Sequence, residues 1–270
     1  MVKLSYRPER RAETGTYRFE VKRAPYTLSD DDKRAMRTLF DRVMKPLSFR
    51  AKQGFVDVLF DTAILIHVFA PDGTLAAFGN IRVRESAGRM VRHVLAVYVD
   101  PAHRGHHLSV RAIATALWQE AALNWCCLFS PLYVTGSAVN PMVVKSLARR
   151  ADLWPDLEAD SAAPLEISRI AEDTAKRFYP VRGASMFQVG VTPEVAEILH
   201  DGERQVTGDA AFDAKFFEIA QPEQLRLLLF VGRIRFRHLL RATVDLATAQ
   251  FGDRARRVRE GAPATGPGVA

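Results

Sequence analysis

The stretch Val91–Ser109 reads VRHVLAVYVDPAHRGHHLS. Val91–Val99 is apolar and rich in β-branched residues, which argues for a buried strand. Asp100-Pro101 turns the chain, Arg104-Gly105-His106-His107 forms a loop, and a helical period follows. From Leu108 to Leu123 that period is carried by Val110, Ile113, Ala114, Leu117 and Ala121. A strand that delivers a loop onto a helix N-terminus makes an anion site. The first-turn backbone N–H groups lack intrahelical acceptors, and the helix dipole points the same way.

Upstream, Tyr17, Phe19 and Val21 alternate with polar residues and predict a first strand. In LSDDDKRAMRTLFDRVMKPL, Ser29 suits an N-cap, and Asp30, Asp31 and Asp32 favour a first turn. Met36, Leu39, Phe40 and Val43 share a helical face, and Pro46 stops the helix. Ala63–Ala70 and Leu75–Val83 read as a hairpin around Pro71-Asp72-Gly73, and Glu85-Ser86-Ala87-Gly88 turns the chain into Val91–Val99. Downstream, Leu128–Val134 predicts a strand. Asn140-Pro141 opens a further helix, with Asn as cap and Pro in the first turn.

The chain has 270 residues, 48 % of them hydrophobic and 26 % charged, with a formal net charge of +7. That size supports a sizeable core, and the basic excess favours an acidic ligand such as a polyphosphate. No nucleic-acid motif accompanies the charge, so a nucleic-acid partner is not expected. The two cysteines, Cys126 and Cys127, are adjacent in the apolar run NWCCLF and read as small buried hydrophobes rather than a disulfide or a nucleophile. No secretory h-region follows Met1 and no run of 18 uncharged apolar residues occurs, so a reducing cytoplasm is expected. His93, His103, His106 and His107 lie close in sequence, but a structural zinc site usually includes Cys and a catalytic one needs three ligands in a geometry this loop does not evidently give, so no metal is expected.

The order strand, helix, three antiparallel strands, helix, strand, helix, together with the Pro–Arg-Gly loop, resembles the Gcn5-related N-acetyltransferase (GNAT) superfamily. The resemblance covers about residues 16–152, with Ala184–Val191 as a final strand. It implies an α/β fold with a mixed, mainly antiparallel central sheet flanked by helices. It also implies acyl transfer from acetyl-CoA or another acyl-CoA directly to a small-molecule or peptide amine. In that family the loop reads Arg/Gln, two variable residues, Gly, one variable residue, then Gly/Ala. Here Arg104 holds the first position, Gly105 and His106 are the variable pair, His107 replaces Gly, Leu108 is variable, and Ser109 replaces Gly/Ala. The resemblance implies that these six residues bind the coenzyme's pyrophosphate, and that the backbone of Val97, Tyr98 and Val99, with Asn140, meets its pantetheine arm. Asn140 reads equally well as a plain helix cap.

His93 is the candidate base. Strand alternation places it with Val91, Leu95 and Val97, and the segment resembles serotonin N-acetyltransferases, where a histidine here helps to remove the amine proton. The bland alternative is a core histidine bonded to a neighbouring strand. Glu85 is a more distant base candidate. The family's usual thiolate-protonating Tyr falls on Leu147, which leaves Tyr98 as the catalytic acid candidate, Tyr179 as a second and solvent as a third proton source.

The expected domain runs over residues 16–191, after a flexible 1–15, with an insertion at 155–180 holding a helix over Leu165–Phe178. A helical extension is expected at 192–251, with a long helix over Pro222–Phe251, and a disordered tail at 252–270. On that helix Arg226, Arg233, Arg237 and Arg241 make one basic stripe, suited to a membrane surface or to acyl carrier protein, while its apolar circumference suits burial against the domain or against a homodimer partner. Two alternatives therefore stand beside the coenzyme A reading. One is an N-acyl amino acid or lactone-type synthase fed by acyl carrier protein. The other is a catalytically silent binding protein.

Overall fold

A computed structural model describes residues 11–12, 15–44, 62–124, 130–159, 161–179, 181–183, 185–191, 206–238 and 240–241. Cys126, Cys127, the segment 45–61 and the tail 252–270 lie outside the described residues. After a two-residue hairpin come β1 (Arg18–Arg23), α1 (Asp30–Val43), β2 (Ile64–Phe69), β3 (Leu75–Ser86) and β4 (Arg89–Val99). A 3-10 turn over Pro101–His103 leads to α2 (Leu108–Asn124), β5 (Leu132–Ala138), α3 (Pro141–Ala148), β6 (Asp152–Trp154) and α4 (Leu165–Phe178). Then follow β7 (Val181–Arg182), β8 (Gln188–Gly190), α5 (Ala210–Ile219) and β9 (Arg226–Ile234).

The strands form one mixed sheet in the order β1-β2-β3-β4-β5-β9-β8-β7, with β6 pairing β9. Among the described residues every pair is antiparallel except β4 with β5. Helices cover both faces. On one face α2 lays Leu108, Ala112, Ile113, Ala116 and Leu117 against Ile64, Ile66, Val94 and Val134, while α3 and α5 pack on Leu228 and Phe230. On the other, α1 covers Leu65, Phe78 and Tyr98, and α4 covers Val91, Tyr133 and Leu229. The sheet is thus mainly antiparallel and flanked by helices, and as far as α3 the elements follow the order expected from the sequence.

Local chemistry accounts for the ends. Ser29 and Asp32 form a reciprocal capping box at the start of α1, with Ser29 Oγ accepting from Asp32 N at 3.0 Å. Helix α4 spans the expected residues because Ile167, Ile170, Ala171 and Thr174 repeat on one buried face.

Three expectations change. The first concerns the segment predicted as a long helix over Pro222–Phe251, which instead contains β9, paired with β5 over seven residues from Leu228↔Ala138 to Ile234↔Leu132. Its run LLLFVGRI is buried on both faces between β5 and β8, and a strand buried on both sides loses the two-residue alternation that would mark it. As a result the sheet does not end near residue 191 but reaches residue 234; among the described residues of 192–251 a helix spans Ala210–Ile219, a 3-10 turn spans Pro222–Gln224, and helical residues follow β9 from Phe236.

Second, the arginine stripe does not exist as a helix face. Arg226 bonds Gln188, while Arg233 and Arg237 converge with Arg235 on Asp152. The membrane-surface reading loses the stripe it was drawn from, and the carrier-protein reading keeps only the altered loop at His107 and Ser109. Third, the side-chain alternation along β4 breaks. Asn80 pairs with Ala96 but Ile81 with Val94, so Leu95 is a bulge. His93 therefore shares its face with Val91 but not with Val97, which packs beside Val94 on the α2 side.

Candidate active site

The bulge at Leu95 opens the sheet. β4 and β5 pair in parallel from Val91↔Tyr133 to Val94↔Gly136, and the ladder stops there. β4 then continues along β3 to Val99↔Ala77, while Ser137 and Ala138 of β5 follow β9. A wedge is left between them, walled on the β4 side by the half-buried Leu95, Ala96, Val97 and Val99. An extended ligand can complete the unpaired backbone edge of such a strand. The apex is tight: a Cβ on Gly136 would lie 2.7 Å from the Phe230 ring and 3.3 Å from Val94 O, so only glycine fits.

At the end of β4 the buried Asp100 accepts from Ala102 N at 2.9 Å and pairs with Arg42, which fixes the Pro101–His103 turn. The loop beyond it is exposed through Arg104, Gly105, His106 and His107. Two of its residues have positive φ, Gly105 at 88° and His107 at 54°. His107 stands where the resembled motif has glycine and adopts the left-handed backbone that glycine takes at no cost, a conformation histidine tolerates better than branched residues do. Helix α2 then starts, with Arg111 N reaching His107 O at 3.1 Å. The N–H groups of the preceding turn are left directed at the loop mouth. Leu108 is buried against the sheet and Ser109 is half-buried in the first turn. His103 shares a 3.0 Å hydrogen bond with Tyr17, and the His106 ring lies 5.4 Å from the same tyrosine. Asn140 caps α3, its Oδ1 accepting from Met142 N at 2.9 Å.

His93 lies at the apex of the wedge on the α4 face. Its Nδ1 is 2.9 Å from Thr135 Oγ1, Phe178 stacks on its ring at 3.9 Å, and Tyr179 stands edge-on at 6.1 Å. Tyr179 in turn hydrogen-bonds Ser137, the first β5 residue past the ladder. Burial, then the nearby cations Arg82 and Arg84, pull the His93 pKa down to about 3, so the ring is neutral at physiological pH. Burial pushes Tyr179 up to about 12, so its hydroxyl keeps its proton. The structure thus joins His93 and Tyr179 with Thr135, Ser137, Phe178, Arg82 and Arg84. The last five go unsignalled in the sequence, because their nearness depends on strand register.

Tyr98 and Glu85 are not brought to this point. Tyr98 lies beyond the bulge, its β3 partner Phe78 four residues from Arg82, the partner of His93, which is about 13 Å at the usual rise. Its ring sits under α1 between Phe40 and Phe78, and burial raises its pKa. Glu85 is exposed near the β3–β4 turn, one residue past Arg84 and hence on the opposite face from His93. No group of His, Cys, Asp and Glu suited to a metal ion occurs among the described residues. Among them, too, no helix is long and apolar enough to cross a membrane.

No protein-family model and no curated protein matches the chain. Solved structures that it resembles include a GNAT-family acetyltransferase from Brucella melitensis in complex with acetyl-CoA (14 % identity, 43 % of this chain and 74 % of that one, TM-score 0.32). A second is a ribosomal-protein-alanine N-acetyltransferase from Brucella melitensis biovar Abortus 2308 (17 %, 55 % and 97 %, TM-score 0.37). A third is a GNAT-family acetyltransferase from Streptococcus pneumoniae (11 %, 80 % and 99 %, TM-score 0.35). Likeness at this level assigns no role to any residue of the wedge.

Proposed function

We propose that this chain is a GNAT-type acyltransferase that moves an acyl group from an acyl-CoA directly to an amine. The observation that carries the reading is the coupling of two features at the ends of one strand segment. The β4–β5 ladder splits at Val94↔Gly136, and β4 then runs into a loop with left-handed His107 at the N-terminus of α2. The residues present fit such a ligand. The exposed loop Arg104–His107, with Leu108 and Ser109, offers backbone N–H groups and one arginine to a pyrophosphate, and the open edge of Val97–Val99 offers an extended arm a strand to pair with. Bound there, an acyl-CoA supplies a thioester carbonyl open to attack, with a thiol as leaving group.

The chain's own groups handle the proton. Overall the amine nitrogen gains the acyl group and one proton passes from nitrogen to sulfur. Neutral His93 is the acceptor for that proton, held in place by Thr135 and Phe178. Tyr179 stays protonated and donates a hydrogen bond toward developing negative charge at the wedge. The Tyr98 hydroxyl has no part in this proton transfer.

Thiol release from acetyl-CoA in the presence of a panel of amines tests the reading. Amine-dependent release with a matching amide product is the expected result. Folded protein that transfers to no amine from any acyl-CoA contradicts it.

A further inference from the structure

We infer that the acceptor is an amine bearing a carboxylate, and that Arg82 and Arg84 hold that carboxylate beside His93. The inference rests on the acyltransferase reading and adds the substrate class to it.

Register supplies the first observation. Arg82 pairs with His93 and Arg84 with Val91, so both arginines project from the face that carries His93. Directly paired residues on one face of an antiparallel ladder have Cβ atoms about 5 Å apart. The Arg84 guanidinium lies 5.8 Å from the centre of the Phe178 ring, the same ring that stacks on His93. Both cations therefore flank the imidazole.

The second observation is what these arginines lack. Arg23 and Arg92 share the buried Glu120, Arg89 has Glu166, and Arg233, Arg235 and Arg237 share Asp152. Neither Arg82 nor Arg84 has a carboxylate partner among the described residues, and Arg82 Nε is enclosed without any hydrogen-bond partner. An enclosed guanidinium N–H left unpaired is costly, and a planar carboxylate is the group whose geometry matches the guanidinium fork.

Chemistry supplies the third. Arg82 and Arg84 both disfavour a proton on His93. A bound carboxylate offsets that field, and its own amine is then positioned next to the base. An acid-bearing acceptor orients itself and offsets the two cations' share of the lowered basicity, burial being the larger cause, whereas a neutral amine does neither.

The test compares an amino acid, its amide and the corresponding decarboxylated amine as acceptors, by steady-state kinetics and by calorimetric binding. Wild-type protein is expected to show a kcat/KM at least tenfold higher for the acid than for the amide. Arg82→Gln and Arg84→Gln are expected to bring that ratio toward one, with acetyl-CoA affinity within twofold of wild type. Arg82→Gln is also expected to leave the unfolding midpoint unchanged or raised, because it removes an enclosed Nε–H that has no partner; a lowered midpoint would mark a structural role and overturn the assignment. Transfer with equal efficiency to acid and amide, or a preference that survives both substitutions, overturns this inference alone. Absence of transfer to every amine instead overturns the acyltransferase reading, and this inference with it.

Discussion

His93 Nδ1 and Thr135 Oγ1 are 2.9 Å apart across the parallel pair of β4 and β5, one residue before the two strands separate. The hydrogen bond fixes the ring at the apex of the wedge, where the proposed acyl transfer would place the reacting amine. Replacing His93 by Ala is expected to lower turnover at least tenfold, the scale of general-base loss, with donor affinity within twofold. Thr135→Val keeps the shape and removes the bond. It is expected to lower kcat with little change in donor KM, and to cost about 1 kcal/mol of stability by chemical denaturation. Wild-type turnover in His93→Ala would remove the imidazole from the mechanism.

Residue 107 gives a second prediction. A branched side chain fits the left-handed backbone badly, so His107→Val should cost about 1–2 kcal/mol of stability and weaken acetyl-CoA binding. His107→Gly accepts the conformation freely and should leave binding intact or tighter. Equal donor affinity in both variants would mean that the loop's backbone does not hold the ligand.

His67 sets a pH dependence away from the wedge. It is buried in β2, with Nε2 3.2 Å from Met36 Sδ and Nδ1 without a partner. Burial first, then Lys22, pulls its pKa to about 4, below the ordinary 6.5. Between those values the unfolded chain takes up a proton that the native state does not, so stability falls as pH drops from 6.5 toward 4. Its share of that loss is up to about 1.4 kcal/mol per pH unit, and is fully avoided above 6.5. Denaturant unfolding of His67→Gln across this window should show a shallower slope than wild type. An unchanged slope would contradict the assignment.

Gly136 tests the apex itself. The Phe230 ring and Val94 O leave no room for a methyl, so Gly136→Ala should cost about 1–3 kcal/mol and lower acetyl-CoA affinity together. Loss of stability with donor affinity untouched would place the binding wedge elsewhere.

Elements with one buried face were legible in the sequence. Met36, Leu39 and Phe40 mark α1, Ile167 and Ile170 mark α4, and Ser29 and Asn140 are caps where their chemistry suggested. β9 was not, because Leu227–Val231 is buried on both faces and carries no strand period. The bulge at Leu95 was equally silent, since nothing in HVLAV departs from alternation; it is the pairing with β3 that shifts register. His93 and the loop could be nominated from local pattern. Thr135, Ser137, Arg82 and Arg84 could not, because they meet His93 only once the ladders on both sides of β4 are registered.

The central claim is that the wedge and the loop at residue 107 together bind an acyl-CoA. Calorimetric titration of the folded protein with acetyl-CoA tests it most directly. Saturable one-site binding that His107→Val weakens several-fold is the expected result. A flat titration with folded wild-type protein, repeated with a long-chain acyl-CoA, would contradict it.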